Sequence, residues 1–152
     1  MVDIIHRIGI KSSPFQVFKA LSTINGLSHW WTEDVAGYEE TGGKIEFTFR
    51  SDSGDILGKM VMAVKELDSE TDVRWHCIEG PDEWIGTDIT FQLSHQGDQT
   101  IVLFGHKNWR EAVEFTAHCS MKWAVFLLSL REYVETGKGR PSPNDLKIDN
   151  WN

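Results

Sequence analysis

The side chains that could carry chemistry are few, and they do not assemble into a familiar catalytic pattern. Six histidines are spread over 152 residues. Two of them alternate with apolar neighbours so that the ring points inward: His106 after Val102 and Phe104, and His6 between Ile4 and Ile8. An inward imidazole can move a proton or orient a ligand, and it can equally be a hydrogen-bonded core residue. His106 is therefore the one catalytic candidate, without a second group to share the work. There is no GxSxG, HExxH, GxGxxG or phosphate-binding loop, and no acid pair whose spacing sets two carboxylates on one face. Glu114, His118 and Lys122 stand four apart, which reads as a solvated helix edge with an intrahelical ion pair. Arg74 and His76 read as solvent-facing, His29 as a flank of the neighbouring tryptophans, and Glu33, Asp34, Glu39 and Glu40 as a wet loop. Cys77 and Cys119 have no CxxC or zinc-ligand spacing around them, so they read as two reduced, half-buried thiols. Neither a metal site nor a cofactor is expected.

What the chain has in quantity is aromatic surface. Seven tryptophans and eight phenylalanines occur among 40% hydrophobic residues, and in "LSHWWTEDV" Trp30 and Trp31 are adjacent. One domain over 1–140, followed by a tail 141–152, fits the length, since a chain of this size buries roughly 68–70% of its unfolded surface. Fifteen basic against 23 acidic residues give a net charge of −8 without a local basic patch, which disfavours nucleic acid and anionic lipid. The N-terminal residues lack the features of a signal peptide. The longest apolar run, "AVFLL", is far below the ~20 residues of a membrane span. The expected location is the cytoplasm.

Periodicity supplies the elements that must hold these rings. Residues 2–11 alternate as a strand. Ser13 before Pro14 opens a short helix, with Phe15, Val17, Phe18 and Leu21 as its apolar face. Ser22 or Thr23 caps a second helix, in which Ile24, Leu27, Trp30 and Trp31 fall three or four apart. Five strands follow, at 44–50, 56–65, around Val73–Cys77, at 87–93 and at 100–106, separated by turn clusters at hairpin distances. Residues 111–136 read as one long helix, apolar on nearly all sides and hence buried, stopped by Gly137 and Gly139. The fold class is α+β: a curved, six-stranded antiparallel sheet wrapped around the C-terminal helix, with two short helices between its first two strands. Val61, Ala63, Ile101 and Leu103 leave apolar surface on the outer face, where a weak homodimer could form.

With these elements in order the chain resembles the START-like, or SRPBCC, superfamily, whose helix-grip fold is also that of the birch-pollen allergen. Within it the chain is similar to the homologues of the activator of the heat-shock-chaperone ATPase. The resemblance spans about residues 4–143 and rests on "IKSSPFQVFKAL", on "HWW", on "GGKIEFTF", on "TIVLFGH", and on the spacing W...L..L..YVETGKGRP. Where relatives commonly have glycine before the helix tryptophan, this chain has Lys122. The resemblance implies a hydrophobic cavity between sheet and long helix, closed at one end by the two short helices.

The alternation names candidate lining residues: Trp30 or Trp31, Phe47 and Phe49 on one strand, Met60 and Met62 on the next, then Trp75, Phe91, Phe104 and His106. Met121 and Trp123 would join them from the helix. An empty void of ~300 Å³ would cost on the order of 7 kcal/mol at ~24 cal/mol per Å³, comparable to a domain's whole stability, so the space must be filled. Of the paired tryptophans, one indole would bury against the long helix and the other would lid the cavity. Three functions stay open. The first is a binding domain for a hydrophobic or amphipathic small molecule, lipid or aromatic polyketide. The second is a cyclase-like enzyme using the same space, and the third a domain acting by contact with a chaperone.

Overall fold

The computed structural model describes residues 1–152 and has the expected α+β architecture, with one more strand than the periodicity shows. In chain order the elements are β1 (Val2–Ile10), α1 (Pro14–Ser22), α2 (Ile24–Trp30), β2 (Asp34–Gly37) and β3 (Lys44–Arg50). Then come β4 (Ile56–Asp68), β5 (Asp72–Glu79), β6 (Asp88–Gln96), β7 (Gln99–Trp109) and α3 (Glu114–Thr136). The sheet has the order β1-β7-β6-β5-β4-β3-β2, so the first strand pairs antiparallel with the last, Ile8 opposite Val102. The extra strand, β2, pairs Val35 with Phe47 at the sheet edge. Its four residues are too short to display a period, and its place is fixed by pairing with β3 and by the Arg50–Asp34 ion pair at 2.9 Å. Asp34 is thus a strand residue rather than part of a wet loop. Glu39 stays exposed in that loop, and its carboxylate accepts the Ile24 N–H at 2.5 Å at the start of α2. No helix is long and apolar enough to cross a membrane.

The two short helices are set by their caps. Ser13 Oγ accepts from Gln16 N at 3.3 Å with Pro14 in the first helical turn, and Thr23 Oγ1 accepts from Gly26 N at 3.0 Å. Gly26 is required at the junction, because a Cβ there would stand 2.6 Å from the Ala20 carbonyl oxygen. Removing the Thr23 cap should be felt directly. Thr23→Ala is expected to cost about 1 kcal/mol, a melting temperature lower by about 2–4 °C, measured by circular dichroism. An unchanged melting temperature would mean that α2 is held by its packed face alone.

The core is one cluster of 27 buried residues between the concave sheet and α3. On α3 the stripe Cys119, Trp123, Phe126, Leu127 and Leu130 is buried, whereas the second apolar stripe is not: Met121 is 58% and Leu128 48% exposed. A helix lying across one sheet can bury only one face, and the side flanking it is covered instead by the tail, which buries Lys122 and Ser129. On the outer sheet face Val61 and Ile101 are buried, and the exposed apolar residues there are Leu103 and Ile5.

The tail is ordered against the domain. Ser142 N donates to the Trp31 carbonyl at 2.8 Å, Glu33 N to the Ser142 carbonyl at 3.1 Å, and Arg140 N to Ser129 Oγ at 2.8 Å. Ser129 Oγ in turn donates to the Trp30 carbonyl at 2.8 Å. The end of α2, the middle of α3 and the start of the tail are therefore joined at one point.

Candidate functional site

A cavity of about 230 Å³ opens between β3–β4 and α3. Trp31 enters it from the end of α2, Phe49 from β3, and Leu57, Gly58 and Met60 from β4. Pro81 and Trp84 come from the loop between β5 and β6. The N-terminal half of α3 supplies Phe115, His118, Cys119, Lys122, Trp123 and Phe126, and the tail closes the side with Trp151 and Asn152.

Of the lining residues expected from alternation, four meet here: Trp31, Phe49, Met60 and Trp123. Trp30, Phe47, Met62, Trp75, Phe91 and Phe104 are fully buried behind them and fill the interior with side chains. Trp31 is in contact with Phe47 at 4.4 Å, Trp123 at 5.0 Å and Trp75 at 5.9 Å between ring centroids, the last pair stacked at 10°. Trp30 turns the other way, donating from Nε1 to the Ala20 carbonyl at 2.9 Å and meeting Phe91 edge-on. The two tryptophans divide as one wall residue, Trp31, and one anchor beneath α1, Trp30. Met121 points to solvent: two positions along a helix are about 200° apart, so Met121 and Trp123 cannot both face the sheet.

His106 does not reach the cavity. Trp123 Nε1 donates to its Nδ1 at 3.1 Å, which leaves the proton on Nε2 to be donated to Thr87 Oγ1 at 2.8 Å. The Thr87 hydroxyl then donates to the Trp84 carbonyl at 2.5 Å. Burial drives the His106 pKa down to about 3, against a smaller opposing pull from Asp88. A neutral ring with both nitrogens committed is a structural group, joining β7, α3 and the β5–β6 loop. His6 is likewise structural, in contact with the Ser120 carbonyl at 3.0 Å.

The remaining polar wall groups are also engaged. Lys122 is buried and bonded to Asp145, which accepts from Lys147 as well at 3.1 Å, while Lys122 Nζ also donates to the Leu146 carbonyl at 3.0 Å. His118 pairs with Asp149 at 2.7 Å, and its hydrogen bond holds the Asp149 carboxyl below the usual carboxylate range. His118 and Lys122 of the edge Glu114–His118–Lys122 are thus tied to the tail rather than paired within the helix. Burial pushes the Cys119 thiol up to about 12 and Cys77 to about 11, so neither is a ready nucleophile. Trp84, Phe115 and Trp151 are wall residues that alternation does not find, because they lie in a loop, at a helix start and in the tail. Their only sequence signal is a large ring among polar turn residues, as in "EGPDEWIGTD", which must bury somewhere.

Residues 11–135 match the family described as Activator of Hsp90 ATPase homolog 1-like protein. Among solved structures, the Aha1 dimer from Colwellia psychrerythraea is 44% identical with a TM-score of 0.79, over 91% of this chain and 100% of that one. SSP2350 from Staphylococcus saprophyticus shares the fold at 20% identity and a TM-score of 0.73, over 93% and 98%. CalU16 from Micromonospora echinospora does so at 17% and 0.70, over 93% and 77%. No curated protein matches the chain.

Proposed function

The chain belongs to the Activator of Hsp90 ATPase homolog 1-like family, and on that premise we propose that it binds a hydrophobic or amphipathic small molecule in the cavity beside α3. One observation carries the reading: between the packed core, the start of α3 and the tail an apolar, half-open cleft is left. About 230 Å³ remains, and ten of its fifteen lining residues are hydrophobic. Aromatic walls with Met60 at one side give large contact area and an adaptable surface. Binding rather than catalysis fits the polar groups, since His106, His118 and Lys122 each have their partners and Cys119 stays protonated.

Native mass spectrometry of gently purified protein, compared with its denatured mass, tests this. A reproducible excess mass that disappears on denaturation is expected, and a ligand at a hundred times its dissociation constant should add about 2.7 kcal/mol of stability. The bare mass alone, from protein made in its own host, would move weight to a second reading.

That reading is action by protein contact, and it has its own support. The 44%-identical relative is a dimer, and here Met121, Leu128 and Leu146 form exposed apolar surface on α3 and the tail. A sedimentation coefficient that rises with concentration, or co-purification with a chaperone, would favour it.

A further inference from the structure

The back of α3 carries apolar side chains that the rest of the chain leaves uncovered. Successive helical positions turn by about 100°, so Ala117, Met121, Ala124 and Leu128 fall within an arc of about 60°, opposite the buried stripe of Trp123, Phe126 and Leu130. Ala117 is exposed, Met121 and Leu128 are 58% and 48% exposed, and Ala124 is half-buried. Leu146 of the tail widens the strip, since it shares a shallow depression with Val125 and Leu128 and is itself exposed.

A charge stands at each end of this stripe. Glu114 lies about one turn before Ala117 and Arg131 about one turn after Leu128, both exposed and neither in an ion pair within the chain. Their neighbours are committed: Glu132 pairs with Arg140 at 3.2 Å, and Glu135 accepts the Lys11 N–H at 2.8 Å. The order acid, small, large, small, large, base complements itself when one copy is turned end to end. About a two-fold axis midway between positions 122 and 123, an antiparallel second helix brings Leu128 onto the partner's Ala117 and Met121 onto the partner's Ala124. The same axis sets Glu114 opposite the partner's Arg131. Every contact then occurs twice, as a two-fold interface requires. Alanine beneath each large side chain lets the helix axes approach to about 8 Å, the near end of the packing range. A parallel copy would instead set acid against acid and base against base, so the end charges choose the orientation.

We propose that the exposed face of α3 is the contact between two copies of this chain, packed antiparallel and registered by reciprocal Glu114–Arg131 pairs. The proposal rests on the protein-contact reading and names its partner as a second copy. From 114 to 131 the helix spans about 25 Å, so the contact is at the small end of interface sizes and the dimer is weak and concentration-dependent.

Sedimentation velocity and native mass spectrometry of the full chain, from about 1 μM to about 1 mM, read the association. The wild type should pass from monomer to dimer in that range. Glu114→Arg sets like charges at both ends of the interface, as does Arg131→Glu, and each should weaken self-association by at least about tenfold. Mixing the two single variants should restore a dimer containing one copy of each, because opposite charges then meet at both ends. A chain that is merely destabilised gains nothing from the other variant, so the mixture separates contact from folding. Leu128→Lys, at an exposed position with both end charges intact, should also abolish the dimer. Loss of association in both single variants without recovery on mixing would overturn the antiparallel register. A wild-type dimer unchanged by all three variants would place the contact elsewhere on the surface, overturning the proposal while the protein-contact reading stands. A wild type that stays monomeric throughout would overturn the proposal and leave that reading to the chaperone alone.

Discussion

Asp145→Ala is expected to lower stability by about 3–5 kcal/mol and to release the tail from the domain. The carboxylate is fully buried and shared by two lysines, and one of these, Lys122, is itself only 8% exposed. Taking the acid away leaves a buried ammonium with the backbone oxygens of Leu146 at 3.0 Å and Asn152 at 3.5 Å and the Phe126 ring at 5.1 Å. The cost of that uncompensated charge, rather than any net attraction of the pair, dominates the loss. The two can be separated. The double variant Lys122→Met, Asp145→Leu removes both charges at similar volume and should recover most of the stability, since a well-packed apolar pair often equals a buried ion pair. Urea midpoints measure the energies, and amide exchange over residues 141–152 reports the tail. A single variant within about 1 kcal/mol of the wild type would show that the tail's attachment does not depend on this pair.

The second large effect is a loss of stability in acid. His106 is neutral in the fold, with a pKa of about 3 against 6.5 in the unfolded chain. Between those values the unfolded state binds a proton that the folded state refuses, so stability rises with pH there and falls as the solution is acidified. The slope is about 1.4 kcal/mol per pH unit, and acidification from pH 7 to pH 4 should remove about 3 kcal/mol through this one ring. Above pH 6.5 the contribution is complete and flat. Asp149 acts in the same direction, because its carboxyl is held low by the His118 hydrogen bond and that support is lost as it protonates. His106→Gln should be less stable at pH 7 but should lose its share of the slope, and Asp149→Asn controls for the second group. An unchanged slope in His106→Gln would refute the assignment.

The strands legible in the sequence are those with one wet and one dry face. Ile45, Phe47 and Phe49 announce β3 because their neighbours are polar, and the long helix announces itself by length. Trp31 was legible as a wall residue from helical spacing, yet nothing in that spacing separates it from Trp30; only the Ala20 carbonyl that captures the Trp30 indole does so. Lys122 defeats local reading altogether, since its partner lies 23 positions away in a segment without a period. Met121 was misplaced by treating two stripes of α3 as one face. Trp84, a wall residue, lies where periodicity has no purchase, between strands. Local pattern reports which face of an element is dry. It does not report what covers the remaining faces, and in this chain the covering groups come from a loop and a tail.

The pairing of β1 with β7 has a consequence during synthesis. Ile8 can meet Val102 only after about ninety further residues have left the ribosome, on the order of 5–20 s at ~5–20 residues per second. Through that interval the first strand has neither of its eventual covers, because α3 is made later still. The nascent chain therefore carries an open strand edge and a set of unburied isoleucines until it is nearly finished. Its two short capped helices, whose contacts are local, are the part able to form first.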